Sequence, residues 1–162
     1  MSHTRKNKHA KGIAVFKEKE IQGEVVLSDR KQGVHVVAVF TMLPPGPHGF
    51  HIHKAGDLRG EGCMGLCEHY DIGHHCHGGA PTSKKERHTG DLGNIAIKTG
   101  ARRVRKTYYI KGTSVADLLG RSIIVHEGED DLGQGGFEDS KTTGHSGKRM
   151  GCAIIGRTFT KK

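Results

Sequence analysis

His48-Gly49-Phe50-His51-Ile52-His53 is the stretch that decides how this chain is read. In an extended strand, residues two apart share a face. His51 and His53 therefore stand side by side, while Phe50 and Ile52 turn the other way. One face is fit for a core and the other presents half of a metal site. A bare His-x-His is not a site by itself. Its weight here comes from residues further along the chain: His69, His77, His88, Asp91 and His126, each set in glycine-rich sequence.

Short β-type segments flank that strand. Gly12 to Phe16 is an apolar run, and residues 21–28 carry Val25, Val26 and Leu27. A turn over Asp29-Arg30-Lys31-Gln32-Gly33 leads into residues 34–41, where Val34, Val36, Ala38 and Phe40 alternate with His35, Val37 and Val39. That pattern predicts a hairpin, broken by Pro44-Pro45-Gly46-Pro47. Downstream, strands are predicted over 93–98, 102–110, 122–126 and 151–160. Two long polar stretches, 54–87 and 127–150, show neither helical nor strand period. A loop of that length in one domain needs something other than backbone ladders to hold it; metal ligands or a disulfide would do so. About eight short strands, two long loops and no convincing helix predict an antiparallel sandwich or barrel.

Composition agrees. The 162 residues suffice for one domain with a core, with 25 glycines, no Trp and only 33% hydrophobic content. No apolar run is long enough to span a bilayer, and the N-terminus lacks an apolar signal region, so the expected location is cytoplasmic. The net charge is +9. Arg5, Lys6, Lys8, Lys11 and Lys17 all precede the first acid, Glu18, so residues 1–11 read as a solvated, disordered basic tail and 12–162 as the folded domain. No aromatic residue interleaves with the tail, which argues against nucleic acid as a partner. The four cysteines, Cys63, Cys67, Cys76 and Cys152, allow three pairings if all pair. Cys63 and Cys67 resemble a zinc-binding C-x₃-C only loosely.

His51, His53, His69, His77, His88, Asp91 and His126 are seven candidate ligands. Imidazoles suit copper and zinc, and one Asp among histidines suits a closed zinc site. Seven groups are one too few for two four-coordinate metals, unless a doubly deprotonated imidazole is shared.

The motifs Gly49-Phe50-His51-Ile52-His53, Gly56-Asp57, His77-Gly78-Gly79, Arg87-His88-Thr89-Gly90-Asp91-Leu92-Gly93-Asn94, Val125-His126-Glu127, Asp130-Asp131-Leu132-Gly133-Gln134-Gly135-Gly136 and Arg149 to Gly156 resemble copper/zinc superoxide dismutase. The resemblance runs over roughly residues 12–158. It implies an all-β fold, an eight-stranded antiparallel Greek-key barrel of immunoglobulin-like sandwich type with two long functional loops. It implies one copper per subunit, on His51, His53, His69 and His126. One zinc falls on His69, His77, His88 and Asp91, with His69 as the bridge. Asp130 would link a copper histidine to a zinc histidine, and Arg149 would hold the superoxide anion beside the copper. Cys63 and Cys152 would form the intrasubunit disulfide. Cys67 and Cys76 have no counterparts, and a second disulfide and two free thiols both stay open. His48 falls at a structural position.

The implied reaction is dismutation of superoxide to dioxygen and hydrogen peroxide, by a homodimer meeting through Gly56-Asp57 and the first and last strands. Arg157 lies where an apolar dimer contact is usual. Gly128 and Thr142 replace common channel lysines, with Lys141 and Lys148 close by. Residues 146–152 contain no proline, which in this family goes with independence from a dedicated copper chaperone. Catalytically dead or chaperone-like relatives usually lack some copper ligands or the arginine; here all are present.

Overall fold

Two facing antiparallel sheets make up the computed structural model, which describes residues 11–158. The first is built from β1 (Lys11–Lys17), β2 (Gln22–Arg30), β3 (Gly33–Met42), β6 (Val104–Lys111) and β9 (Gly156–Arg157), in the order β6-β3-β2-β1-β9. The second holds β4 (His48–His53), β5 (Asp91–Ile95), β7 (Ser122–His126) and β8 (Arg149–Ile154), in the order β5-β4-β7-β8. Most of the expected tail lies outside the described residues; Lys11 already belongs to β1, paired with Ser28.

The alternation of β3 works as expected. Val34, Val36, Ala38 and Phe40 are buried, and His35, Val37 and Val39 are partly open. Phe16, Phe40, Phe50 and Tyr108 form a chain of rings across the core. Successive centroids are 5.0, 5.8 and 6.2 Å apart, joining the first sheet to β4 of the second. Phe50 is fully buried, and truncating such a ring to Ala removes about 3–5 kcal/mol.

Several elements differ from the sequence expectation. The last strand divides: β8 pairs with β7, then Ile155 turns the chain so that β9 pairs with β1 in the other sheet. β5 begins at Asp91 rather than Gly93, because the buried carboxylate that disfavours a strand is fully engaged by side chains and amides. Two four-residue helices also appear, α1 (Val115–Leu118) and α2 (Ser140–Thr143), with a 3₁₀ turn over Gly62–Gly65. In α1, Ser114 and Asp117 cap each other reciprocally. Among the described residues no helix is long and apolar enough to cross a membrane.

The first long loop is tied down by a Cys63–Cys152 disulfide that spans 89 residues of chain. Closing a loop of that length is worth about 4–5 kcal/mol if it acts on the entropy of the unfolded chain. Cys67 and Cys76 are both free and exposed.

Candidate metal centre

β4 is buried along its entire length. Its core face carries Phe50 and Ile52; its other face carries His51 and His53, roofed by the two loops. β7 pairs antiparallel with β4 and ends at His126. His69 is brought in from the first loop by a bridge to His53. His51, His53, His69 and His126 thus offer four donor atoms that all lie within 4.8 Å of one another, every residue buried. A second such group is His51, His69, His77 and Asp91. His88 sits beside it: its Nδ1 is 3.3 Å from Asp91 Oδ1 and 3.4 Å from His69 Nδ1. His51 and His69 belong to both groups.

Each imidazole has one nitrogen fixed and one free. His51 Nε2 lies 2.7 Å from Asp130 Oδ2, and His53 Nδ1 lies 2.9 Å from the Cys67 carbonyl. His126 Nδ1 lies 3.2 Å from the Gly147 carbonyl, and His69 Nδ1 lies 2.8 Å from Asp91 Oδ1. The opposite nitrogens, His51 Nδ1, His53 Nε2, His69 Nε2 and His126 Nε2, are buried with no hydrogen-bond partner, whereas His77 Nδ1 lies 3.0 Å from Asp91 Oδ1. Leaving such a group unsatisfied costs about 1–3 kcal/mol. Orphaned nitrogens converging on one point are what a metal ion would satisfy, and the residues present fit one. A fixed partner nitrogen sets the tautomer and ring orientation of a metal-bound histidine.

Electrostatics divide the two groups. Burial, reinforced by neighbouring imidazoles, holds His51 and His53 well below the ordinary histidine range and brings His126 to about 4. Burial lowers His69 as well, against the pull of Asp91. These rings are neutral near pH 7, as ligands must be. Burial also opposes charge on His77, but hydrogen bonds to Asp130 and Asp91 outweigh it and raise His77 to about 9. Asp91, despite burial, is pushed far below the carboxylate range by His69, His77 and His88.

Asp130 spans the groups. Oδ1 is 2.7 Å from His77 Nε2, and Oδ2 is 2.7 Å from His51 Nε2. Its main chain is clamped by Asn94, whose side chain accepts from Asp130 N at 2.7 Å and donates to Asp130 O at 2.9 Å. Gly144 has φ +70°, and a Cβ there would overlap Asp130 Oδ1 and His77 Nε2. Only glycine permits that approach.

Arg149 sits opposite His126 on β8. Its guanidinium donates to the carbonyls of Cys63, Met64 and Cys67, at 3.0, 3.1 and 2.6 Å. It lines the cavity above the histidines together with Lys54, Lys141 and Lys148. His48 is structural in its contacts: Nδ1 lies against the His126 and Glu127 carbonyls and Nε2 against that of Pro44.

Beyond Asp130, two residues to which the sequence assigns no role hold the candidate ligands. Arg87 donates to the carbonyls of Thr89, Asp91 and Gly79 and so pins the turn that carries His88. Asp71 accepts from the amide and hydroxyl of Thr89. Asp71 carries no local signal for this contact, since Thr89 lies 18 positions away, whereas Arg87 belongs to the motif that carries His88 and Asp91.

The profile of the family described as copper/zinc superoxide dismutase (SODC) matches residues 21–155. A Cu-Zn superoxide dismutase of Paramecium bursaria Chlorella virus 1 is 42% identical over 154 residues, 92% of this chain and 79% of the viral protein. The mouse copper chaperone for superoxide dismutase is 45% identical over 118 residues, 72% of this chain but only 41% of the chaperone. Among solved structures, that of the clock protein EA4 superposes with a TM-score of 0.84 at 34% identity, covering 97% of this chain and all of that one. This chain belongs to the copper/zinc superoxide dismutase family, oxidoreductases that use copper and zinc.

Proposed function

We propose that this protein dismutes superoxide to dioxygen and hydrogen peroxide at a two-metal centre bridged by His69. Copper would be held by His51 Nδ1, His53 Nε2, His69 Nε2 and His126 Nε2. Zinc would be held by His69, His77 and His88 through Nδ1 and by Asp91 Oδ1. The observation that carries this reading is the convergence of four buried, unpartnered imidazole nitrogens whose other nitrogens are already fixed. Bound there, copper would supply a one-electron couple and zinc, which has no redox chemistry, fixed charge and order.

The chain's own residues do the rest. Arg149, always charged, is fixed on the cavity wall by its three carbonyl bonds and offers its positive charge to a small anion there, with Lys54, Lys141 and Lys148 on the same walls. His69 Nε2 is the atom at which a proton is held and released to the reduced oxygen species. Asp130 keeps His51 and His77 aimed, and the two loops exclude bulk water from all but the cavity mouth. The same reading carries a Greek-key closure of the sandwich and a cytoplasmic homodimer through Gly56-Asp57, β1 and β9, with Arg157 altering the contact.

A chaperone-like role is the second reading, since a copper chaperone is among the relatives. Four complete copper donors and Arg149 favour turnover. Metal analysis and a superoxide assay on one sample decide between them. One copper and one zinc per chain with dismutation, slowed by Arg149→Ile at unchanged metal content, supports the enzyme. Bound copper without turnover supports the carrier.

A further inference from the structure

The Cys63–Cys152 disulfide has a carboxylate beside it. Glu18, in the turn between β1 and β2, reaches across to β8. Its Oε1 accepts from the amide of Cys152 at 3.0 Å, and its Oε2 accepts from the amide of Lys17 at 3.1 Å. A carboxylate oxygen of Glu18 and the sulfurs of Cys63 and Cys152 all lie within 4.8 Å of one another. Gly151 makes room for this approach, since a Cβ there would come within 3.3 Å of Glu18 Oε1 and 2.7 Å of Ile21 Cδ1. Among the described residues no ion pair cancels the charge; Lys17 and Lys19 are both exposed. Arg149 reaches the same region, but its guanidinium is bonded to the Cys63 carbonyl, at 3.0 Å. The two amides that hold the carboxylate do not depend on the state of the sulfurs.

We propose that Glu18 guards this bond: its fixed negative charge slows thiol exchange at Cys63–Cys152. Exchange begins when an external thiolate attacks one of the two sulfurs. The S–S electron pair passes to the other sulfur, which departs as a thiolate and takes a proton from solvent. A second external thiolate then displaces the first cysteine, which is protonated in turn. Two external thiolates have become one disulfide, and two electrons have made two cysteine thiols. Each step moves negative charge through a line of three sulfurs, and its rate depends on both the attacking and the departing thiolate. A carboxylate beside that line disfavours both, as like charges do. Unit charges about 4 Å apart in water repel by enough to change a rate about fivefold, and the effect fades with salt at a site open to solvent. The same repulsion acts on formation of the bond. Glu18 therefore sets how fast the loop above the metal centre is latched or released, not which state wins when both thiols are protonated. Cys67 and Cys76, both free, lie on the same loop as Cys63 and are held off in the same way. None of this rests on the reading of the histidines as a copper and zinc centre.

The test uses metal-loaded full-length protein carrying Cys67→Ser and Cys76→Ser, so that new thiols come only from Cys63 and Cys152. It is reduced with mercaptoethanesulfonate, mercaptoethanol or cysteamine, an anionic, a neutral and a cationic thiol. Glu18→Gln in this background is compared with its parent at matched metal content, and alkylation followed by mass spectrometry reads the reduced fraction. Gln keeps an acceptor for the Cys152 amide and removes the charge. Dividing each variant rate by the parent rate cancels the reactivity of the thiol and the field of Arg149, which both proteins share. At low salt the quotient should be largest for the anionic thiol, about fivefold or more, smaller for the neutral one and smallest for the cationic one. At high salt the three should converge. A merely loosened contact between Glu18 and β8 would multiply all three rates alike. Equal quotients at low salt therefore overturn the guard, and so does a quotient of one for every thiol.

Discussion

β3 and β4 both alternate in sequence and end in opposite surroundings. β3 buries Val34, Val36, Ala38 and Phe40 and leaves the face of His35 partly open. β4 buries both faces, and the face that ought to be wet holds His51 and His53 under two loops. Water solvates the polar face of β3. On β4, carboxylates, carbonyls and the donor nitrogens' missing partner must stand in for water. Alternation fixes which side chains share a face; whether a polar face is wet depends on residues far along the chain. Those residues are His69, Asp91 and Asp130, which come from loops and from a strand start.

The sharpest break of this contrast removes a donor from the dry face while sparing its roof. His126→Ala deletes one member of the four-imidazole group and leaves Asp91, His77 and His88 untouched. Dismutation should fall to background, with copper lost and zinc and secondary structure retained. Metal content by mass spectrometry beside a superoxide assay checks this; undiminished activity would remove His126 from the site.

The next largest effect comes from the pin of the roof. Asp91 accepts from Gly78 N at 3.0 Å and His88 N at 2.8 Å, and its other oxygen faces His69, His77 and His88. Asp91→Ala leaves these groups buried without an anion. Breaking a buried charged contact destabilises by roughly 3–5 kcal/mol, a fall in Tm of about 10 °C for a chain of this size, and zinc's contribution to folding is lost with it. Calorimetry, zinc content and hydrogen exchange across residues 54–87 read the outcome. If Tm and zinc content hold, the loop is pinned by its disulfide and not by Asp91.

Much of this centre was legible because its chemistry is written in rare residue types at fixed spacing. His51-x-His53 declares a strand face, and Arg87 to Asn94 is distinctive as a motif. The β3 period was equally plain. What was not legible is geometry that depends on distance in sequence. Nothing near Asp130 announces that Asn94 clamps its backbone from 36 positions away. Nothing near Ile155 announces that the chain there changes sheets. The helix α1 did carry a signal, Ser114-x-x-Asp117, in front of too short an apolar segment to stand out.

The wet face offers the matching control. His35 makes no side-chain hydrogen bond among the described residues and lies opposite Tyr109 on β6. His35→Ala should change stability by no more than about 0.5 kcal/mol, or about 2 °C in Tm, with metal content and activity unchanged. A fall comparable to that of Asp91→Ala would mean that the outer face of the first sheet is itself covered, and the contrast between the strands would fail.

The smallest expected effect is none at all, on removing the copper chaperone from the cell. Disulfide formation needs Cys63, on the roof, to reach Cys152, on β8. Proline before Cys152 would fix φ and restrict its neighbour, but residues 146–152 have none, and Gly147 turns the chain at φ +72°. Arg149 already grips the carbonyls of Cys63, Met64 and Cys67. These bonds need no oxidised sulfur, so they can bring Cys63 beside β8 before the bond forms. Protein expressed with copper in chaperone-null cells should therefore carry Cys63–Cys152 and be active. Arg149→Ile expressed there should show a lower oxidised fraction, because the grip is lost while both cysteines remain. Thiol labelling resolved by mass spectrometry distinguishes this pair from Cys67 and Cys76, either of which can exchange into the bond. Reduced, inactive wild-type protein in those cells, restored only by co-expressing the chaperone, would show that the roof cannot close onto β8 unaided.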